Sequence, residues 1–371
     1  MKIAQIAPLI ESVPPRLYGG TERVVSYLSD ELVAQGHRVT LFASGDSITA
    51  AELVPCVPQA LRLDSKIRDP LPYYMLMLDR VRRMTDAFDV LHFHIDQLHF
   101  PVFRPLAGRT VTTLHGRQDL PDLIPLYAGF GDMPLVSISD DQRGPVPDAN
   151  FMATIYHGLP IGLHHPVDGP VGDYVAFLGR ISPEKRPDRA ISIARALGIP
   201  LKIAAKVDRA DDVYFRSEIE PLLAGPGVEF IGEISEHQKT QFLGKARALL
   251  FPVDWPEPFG LSMIEAMACG TPVLAFRRGS VPELVDDGVT GVIVDTMEEA
   301  IAALPRVMAL DRKKVRERFE KRFSAARMAR DYVKVYGALM AASRVRDGKR
   351  RDIAPHLPDG VDAAIARPLL A

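Results

Sequence analysis

Lys2-Ile3-Ala4-Gln5-Ile6-Ala7-Pro8 is a short apolar run closed by a proline, and it reads as a buried strand. From Thr21 the residues Val24, Val25, Leu28, Leu32 and Val33 recur at helical spacing, until Gly36 stops the pattern. His37-Arg38-Val39-Thr40-Leu41-Phe42-Ala43 is then a second strand. Strand, helix and strand in that order make a right-handed crossover, the building block of a parallel sheet. Further strands are expected at 89–93, 110–114, 135–138 and 153–155.

The pattern then restarts. Residues 158–172 hold four glycines and three prolines with little apolar periodicity, the composition of a linker. Beyond it come strands at 174–179, 201–204, 229–231, 248–252, 272–275 and 291–294, with helices at 187–197, 236–246 and 260–269. The expected fold is therefore α/β, two doubly wound Rossmann-like domains facing across a cleft. The domains are expected at 1–165 and 170–324, with late helices at 311–323 and 325–342 and a proline-bearing tail at 343–371.

A length of 371 residues fits two or three domains at roughly 150 residues each. Lys+Arg 45 against Asp+Glu 47 gives a net charge of -2, which argues against bulk nucleic-acid binding. Cys56 and Cys269 are the only cysteines, so a disulfide framework is excluded and a reducing compartment is expected. Residues 1–15 lack the long apolar core of a secretion signal, and no run reaches membrane-spanning length. The expected location is cytoplasmic.

In open parallel sheets ligands lie beyond the carboxyl ends of the strands. After the first strand, Gly19-Gly20 opens a helix, where bare backbone N–H groups can approach an anion, although a plain tight turn fits equally. Thr110–Leu114 ends in His115-Gly116, which brings an imidazole to the functional edge. His92 and His94 share one side of their strand; with no third ligand at matching spacing they read as cleft lining rather than a metal site. In the second unit Arg180 and Lys185 can converge on one anion from a single loop, a diphosphate being the natural ligand. Trp255-Pro256-Glu257-Pro258-Phe259-Gly260-Leu261-Ser262-Met263-Ile264-Glu265 sets two carboxylates around a helix start. The N–H groups of Phe259, Gly260 and Leu261 are left for phosphate or sugar oxygens. Hydroxyls at both ends and charge in the middle describe a sugar nucleotide.

Glu257 to Glu265 is a Glu-x7-Glu motif. With Gly19-Gly20, Thr113-Leu114-His115-Gly116, Gly179-Arg180 and Lys185, in that order, the chain resembles the retaining glycosyltransferases of family 4 over residues 1–340. The resemblance implies the GT-B fold, with the donor held mainly by the second domain and the helix 325–342 packing back on the first. It implies that Arg180 and Lys185 hold the donor diphosphate and that Glu265 binds the ribose hydroxyls. Glu257 would contact the transferred sugar beside Phe259, Gly260 and Leu261, Gly20 would touch the diphosphate, and His115 would lie against the sugar. Together His115, Glu257, Arg180 and Lys185 form the expected catalytic set. Two departures stand out: Arg186 occupies a place where the family often has glycine, and Ile203-Ala204-Ala205-Lys206 lacks the usual glycines, so that Lys206 joins the donor set.

The implied activity is a hexosyltransferase working from a nucleoside diphosphate sugar, UDP-sugar before GDP-mannose, on a glycan, glycolipid or small metabolite. A same-face mechanism without a metal or other cofactor is expected, because Arg180, Lys185 and helix N-termini offer fixed positive charge. A nicotinamide dehydrogenase is disfavoured by the absence of a tight Gly-x-Gly-x-x-Gly turn. A sugar-nucleotide epimerase of the same fold and an inactive nucleotide-sugar binding protein remain as alternatives. Residues 306–351 carry 16 Lys/Arg against 5 Asp/Glu, a local +11 that leaves -13 for the rest. The bland reading is a solvated face, and the sharper one a peripheral contact with an anionic membrane at its inner face. Tyr73–Met84 reads as a buried helix with an exposed arginine edge.

Overall fold

Two parallel sheets follow one another along the chain. The first contains β1 (Lys2–Ile6), β2 (Arg38–Ser44), β3 (Glu52–Val57), β4 (Val90–Phe93), β5 (Thr110–Thr113), β6 (Leu135–Ser137) and β7 (Phe151–Thr154), in the spatial order β3-β2-β1-β4-β5-β6-β7. The second contains β8 (Val175–Ile181), β9 (Leu201–Val207), β10 (Val228–Gly232), β11 (Leu249–Phe251), β12 (Val273–Phe276) and β13 (Gly291–Val294), in the order β10-β9-β8-β11-β12-β13. The computed structural model describes residues 1–352, with side chains through residue 342. Most of the expected tail at 343–371, and the basic side chains past 342, lie outside these described residues.

Strand order reverses beside β1 in one sheet and beside β8 in the other. Those two points, β1 next to β4 and β8 next to β11, open crevices at the carboxyl ends of the strands. The central strands are almost wholly buried, Ile3–Ile6 and Val90–Phe93 among them, as strands covered on both faces by helices must be, whereas the edge strands β3, β7 and β10 are partly exposed. Sequence periodicity missed β3, whose Pro55 interrupts the run. Its place at the sheet edge tolerates the missing N–H.

The helix Leu71–Arg83 corrects one expectation. Met77, Leu78 and Val81 are buried, but Leu71, Met75 and Leu76 are exposed together with Arg80, Arg82 and Arg83, so its outer face is apolar as well as basic.

The chain crosses between the sheets twice, and the two crossings run side by side. Leu159 N–H donates to the Phe323 carbonyl at 2.9 Å, and Ala325 N–H donates to the Leu159 carbonyl at 2.8 Å. The helix Ala325–Asp352 then lies along the helix Gly20–Ala34 and places Tyr332 and Tyr336, both fully buried, against the first sheet. Arg327 adds hydrogen bonds to the carbonyls of Tyr156 (2.7 Å) and His157 (3.0 Å).

Close approach at the crossing requires Gly158: a Cβ there would overlap the Ser324 carbonyl and the Ala325 nitrogen. Gly158→Ala is expected to destabilise the protein by about 1–3 kcal/mol through overpacking. Gly162→Ala, which meets nothing within 4 Å, is the control and should stay within about 0.5 kcal/mol. Denaturant titration of both variants checks this; equal midpoints would mean that the crossing yields freely.

Candidate functional site

A cleft cavity of about 470 Å³ lies between the two sheets, lined from both. The first domain contributes Gly19, Gly20, His115 and Gly116; the second contributes Arg180, Lys185, Lys206, Glu257, Phe259, Gly260, Leu261 and Glu265. Every residue expected from sequence to touch the donor therefore borders one cavity. Its size suits a ligand of drug or cofactor dimensions.

Arg180 is the last residue but one of β8, not part of the loop that follows, and its register partner on β9 is Lys206. This corrects the single-loop reading of Arg180 and Lys185. The paired cations are Arg180 and Lys206, side by side on adjacent strand ends, while Lys185 reaches in from the turn beyond. Acids neighbour each of them. Arg180 lies 3.6 Å from Asp211 and 3.7 Å from Asp208, and Lys206 is 2.9 Å from Asp208. Lys206 also sits over the Tyr18 ring at 5.3 Å.

Lys185 forms an ion pair with Glu257, and its ammonium lies 5.2 Å from the Trp255 ring centre. Trp255 Nε1 donates to the same Glu257 oxygen at 2.8 Å. Thus Glu257, almost fully buried, is held by two donors. The loop behind it is braced by Ser280, whose N–H donates to the Glu257 carbonyl (2.9 Å) and whose hydroxyl donates to the Phe259 carbonyl (2.8 Å). Gly260, at φ 85°, starts the helix Leu261–Ala268, whose first N–H groups have no partner within the helix. One turn on, Glu265 accepts from Lys239 at 2.7 Å.

Lys239 also lies 3.2 Å from Glu236, which pairs with Arg23 of the first domain and with His164 at 2.7 Å. Burial alone would raise the Glu236 carboxyl. The His164 hydrogen bond, with Lys239 and Arg23, outweighs it and holds that carboxyl well below the usual range. His164, Glu236 and Glu265 offer ligand atoms within 4.8 Å of one another, but Arg23 and Lys239 already engage these carboxylates. The cluster reads as an ion-pair network.

Arg186 turns away from the cavity. Its side chain pairs with Asp188 (2.8 Å) and Asp254 (3.1 Å), and its backbone has φ 52°, a left-handed conformation that glycine adopts at least cost. That conformation accounts physically for the glycine expected there.

His115 Nε2 lies 2.9 Å from His94 Nδ1, and its ring stacks on His157 with centroids 5.3 Å apart. His157 in turn packs on Phe259 at 4.7 Å, so a column of rings joins β5's end to the Glu257 loop. Sequence reasoning missed His157, which carries no motif, and Glu283. Glu283 accepts from the N–H groups of Asp140 (2.7 Å) and Asp141 (2.8 Å) of the first domain. It also missed the rim residue Glu233, which accepts from the Tyr18 N–H at 2.8 Å. A second cavity of about 290 Å³ adjoins His115 and Gly116 on the first-domain side, lined also by Thr21, Tyr74, His94, Asp96 and Leu98.

Residues 18–135 match the family described as Glycosyltransferase Family 4, and residues 171–324 match Glycosyl transferases group 1. A GDP-mannose-dependent alpha-(1-6)-phosphatidylinositol dimannoside mannosyltransferase of Mycobacterium tuberculosis is 30% identical over 183 residues, 48% of this chain and 47% of that protein. A D-inositol 3-phosphate glycosyltransferase of Mycobacterium bovis is 36% identical over 170 residues, 43% of this chain and 34% of that protein. The chain thus matches about half the length of the first relative and a third of the second. Among solved structures, sucrose-phosphate synthase from Thermosynechococcus elongatus superposes with a TM-score of 0.74 at 18% identity, covering 92% of this chain and 99% of that one. Anabaena HepE, in complex with UDP and glucose, gives 0.68 at 18% identity over 91% and 100%. These superpositions establish the GT-B fold. No helix among the described residues is long and apolar enough to cross a membrane.

Burial drives His92, His94 and His157 well below the ordinary imidazole value and takes His99 and His115 down to about 3. In the unfolded chain these rings protonate below about pH 6.5, whereas the folded chain keeps them neutral. Their stabilising contribution is therefore complete above that pH and is lost as pH falls toward the folded values, by about 1.4 kcal/mol per histidine per pH unit. Thermal melts should give a lower midpoint at pH 5.5 than at pH 7.5; an unchanged or higher midpoint at pH 5.5 would contradict the buried-neutral assignment.

Proposed function

Because the chain belongs to glycosyltransferase family 4 and has the GT-B fold, we propose that its cleft transfers a hexose from a nucleoside diphosphate sugar to a hydroxyl-bearing acceptor, with retention and without a metal. The observation that carries this reading is the set of groups bordering one cavity: the cations Arg180, Lys185 and Lys206, the carboxylates Glu257 and Glu265, and the backbone at the start of the helix Leu261–Ala268, with Lys185 paired to Glu257. A nucleoside diphosphate sugar presents a negative diphosphate for the cations and hydroxyls on both sides of it for the carboxylates.

Breaking the bond from the anomeric carbon to the diphosphate oxygen leaves the electron pair on that oxygen and positive charge on the sugar. Arg180, Lys185 and Lys206, with the N–H groups at Phe259–Leu261, take the new negative charge in this reading, which their common lining of one cavity supports. In the same-face route the acceptor hydroxyl attacks from the side of the departing diphosphate. Its proton passes to the diphosphate oxygen as the new carbon–oxygen bond forms. His115 is neutral, since burial lowers its imidazole to about 3, and offers the developing sugar cation no repelling charge. The acceptor enters from the second cavity, where Thr21, Tyr74 and Asp96 supply hydrogen-bonding groups for a polyol or sugar.

One relative named above is GDP-mannose-dependent, the other is a D-inositol 3-phosphate glycosyltransferase, and the Anabaena structure holds UDP and glucose. For this chain UDP-hexose is the first reading and GDP-mannose the second. The exposed Leu71, Met75 and Leu76 beside Arg82 and Arg83 support adsorption to an anionic membrane as a companion proposal, with each basic residue near the surface contributing about 1 kcal/mol. Failure to sediment with anionic liposomes at low salt would remove that companion.

Thermal shift against UDP, GDP, UDP-glucose and GDP-mannose tests the donor site; a ligand at 100 times its dissociation constant should stabilise by about 2.7 kcal/mol. Glu265→Ala should weaken nucleotide binding about 10-fold or more, the worth of a hydrogen bond to a charged group. Lys185→Ala should lower kcat about 10²-fold by analogy with other lost transition-state donors. Release of nucleoside diphosphate without sugar transfer, or an epimerised donor, would sink the transferase reading; no nucleotide shift at all would sink the donor site.

A further inference from the structure

Beneath the first sheet a run of hydrogen bonds leads from the closing helix to the cleft. Tyr336 Oη lies 2.7 Å from His92 Nδ1 and receives the Gln5 amide Nε2–H at 3.2 Å. Gln5 Oε1 lies 2.7 Å from His94 Nε2, and His94 Nδ1 lies 2.9 Å from His115 Nε2. His92 closes the other branch, with its Nε2 2.7 Å from Thr113 Oγ1, which meets the Tyr332 hydroxyl at 2.8 Å. Gln5, His92, His94, Thr113, Tyr332 and Tyr336 are all buried, so none can turn to bulk water for a replacement partner.

A carboxamide has a fixed polarity: its nitrogen only donates and its oxygen only accepts. With Nε2 of Gln5 spent on Tyr336, Oε1 accepts, so His94 Nε2 carries a proton. A neutral imidazole has one N–H, which leaves His94 Nδ1 as an acceptor. The proton between His94 and His115 therefore sits on His115 Nε2, and His115 Nδ1 is bare. The reverse polarity, with every proton moved along the run, would leave His115 Nδ1 as a donor. That atom is enclosed and has no partner among the described residues, and an orphaned buried N–H is rarer than an underused acceptor.

We infer that Tyr336, Gln5 and His94 are positioning residues that hold the His115 ring in its Nε2-protonated tautomer at the floor of the cleft. The residue that begins this relay belongs to a helix entered only after the second domain is complete. The relay thus ties the ring at the cleft to the element that joins the domains. With Nε2–H committed to His94, the ring is held in place on both sides, by that hydrogen bond and by the stack on His157. It cannot shuttle a proton through Nε2 without breaking the run. The consequence for sugar transfer rests on the function proposed above; the tautomer does not.

The test uses the full chain labelled with ¹⁵N-histidine, with the His115 resonances assigned from His115→Asn. Two-bond proton–nitrogen correlation spectra between pH 6.5 and 8 should give a protonated Nε2 and a bare Nδ1 at His115. In His94→Phe the two tautomers should mix, and in His94→Gln, whose amide can accept from His115 and donate to Gln5, the single tautomer should return. Tyr336→Phe keeps the ring packing and removes only the hydroxyl; it should free the Gln5 amide and mix the tautomers at His94, which keeps the inference testable if His94→Phe does not fold. A proton on His115 Nδ1 in the wild type, or an unchanged tautomer in both Phe variants, would overturn the relay. With UDP-glucose or GDP-mannose as donor, His94→Phe should lower kcat by about 10²-fold, the scale of an ångström-sized misplacement, with donor KM little changed. Equal losses of kcat in His94→Gln and His94→Phe would also overturn it. If the wild type consumes neither donor, the transferase reading fails while the spectra still decide the relay.

Discussion

Two tyrosine hydroxyls from the closing helix are buried in the sheet of a domain that the chain left long before. Tyr332 and Tyr336 meet Thr113, His92 and Gln5, all inaccessible to solvent, and each polar atom there must be matched or cost about 1–3 kcal/mol. This matching fixes where the helix Ala325–Asp352 lies, and with it the return crossing at Ser324. Since the two crossings are hydrogen-bonded to each other, the sheets are held with their carboxyl ends facing one cavity. The cleft is thus a consequence of satisfying polar groups in the core of the first domain.

Within the cleft, charge is arranged in pairs that a ligand can exchange. Lys185 holds Glu257, Lys239 holds Glu265, and Asp208 and Asp211 flank Arg180 and Lys206. Buried charges left single would be costly, so each is partnered within the protein. An anionic ligand with multiply accepting oxygens can compete for the same cations, and a carboxylate so released is free to accept from hydroxyl groups.

Much of this was legible in the sequence. The apolar runs and helical spacings located every strand but one, most directly the central ones, whose burial on both faces leaves no alternative composition. The edge strand Glu52–Val57 escaped notice since Pro55 breaks the pattern, which an edge position tolerates. Among the cleft residues, the Glu-x7-Glu spacing and Gly19-Gly20 were visible because each depends on chain-local geometry. Arg180 and Lys185 were read as converging from one loop, although Arg180 lies within the end of a strand beside Lys206. His157, Glu283 and the Gln5–His94 link were invisible, for their partners lie far away along the chain.

The sequence by itself determined the class of fold, two parallel sheets joined by a glycine- and proline-rich linker, and the local motifs at their strand ends. Those follow from periodicity and from the backbone freedom of a few residues, which act over a handful of positions. Only the tertiary structure decided which cation faces which carboxylate, where Arg186 sends its charge, and which ring nitrogen of His115 is committed. These depend on distances between side chains separated by up to 331 residues, as between Gln5 and Tyr336. A hydrogen bond is specified by where its two atoms come to rest, and that position is set by the packing of the whole chain.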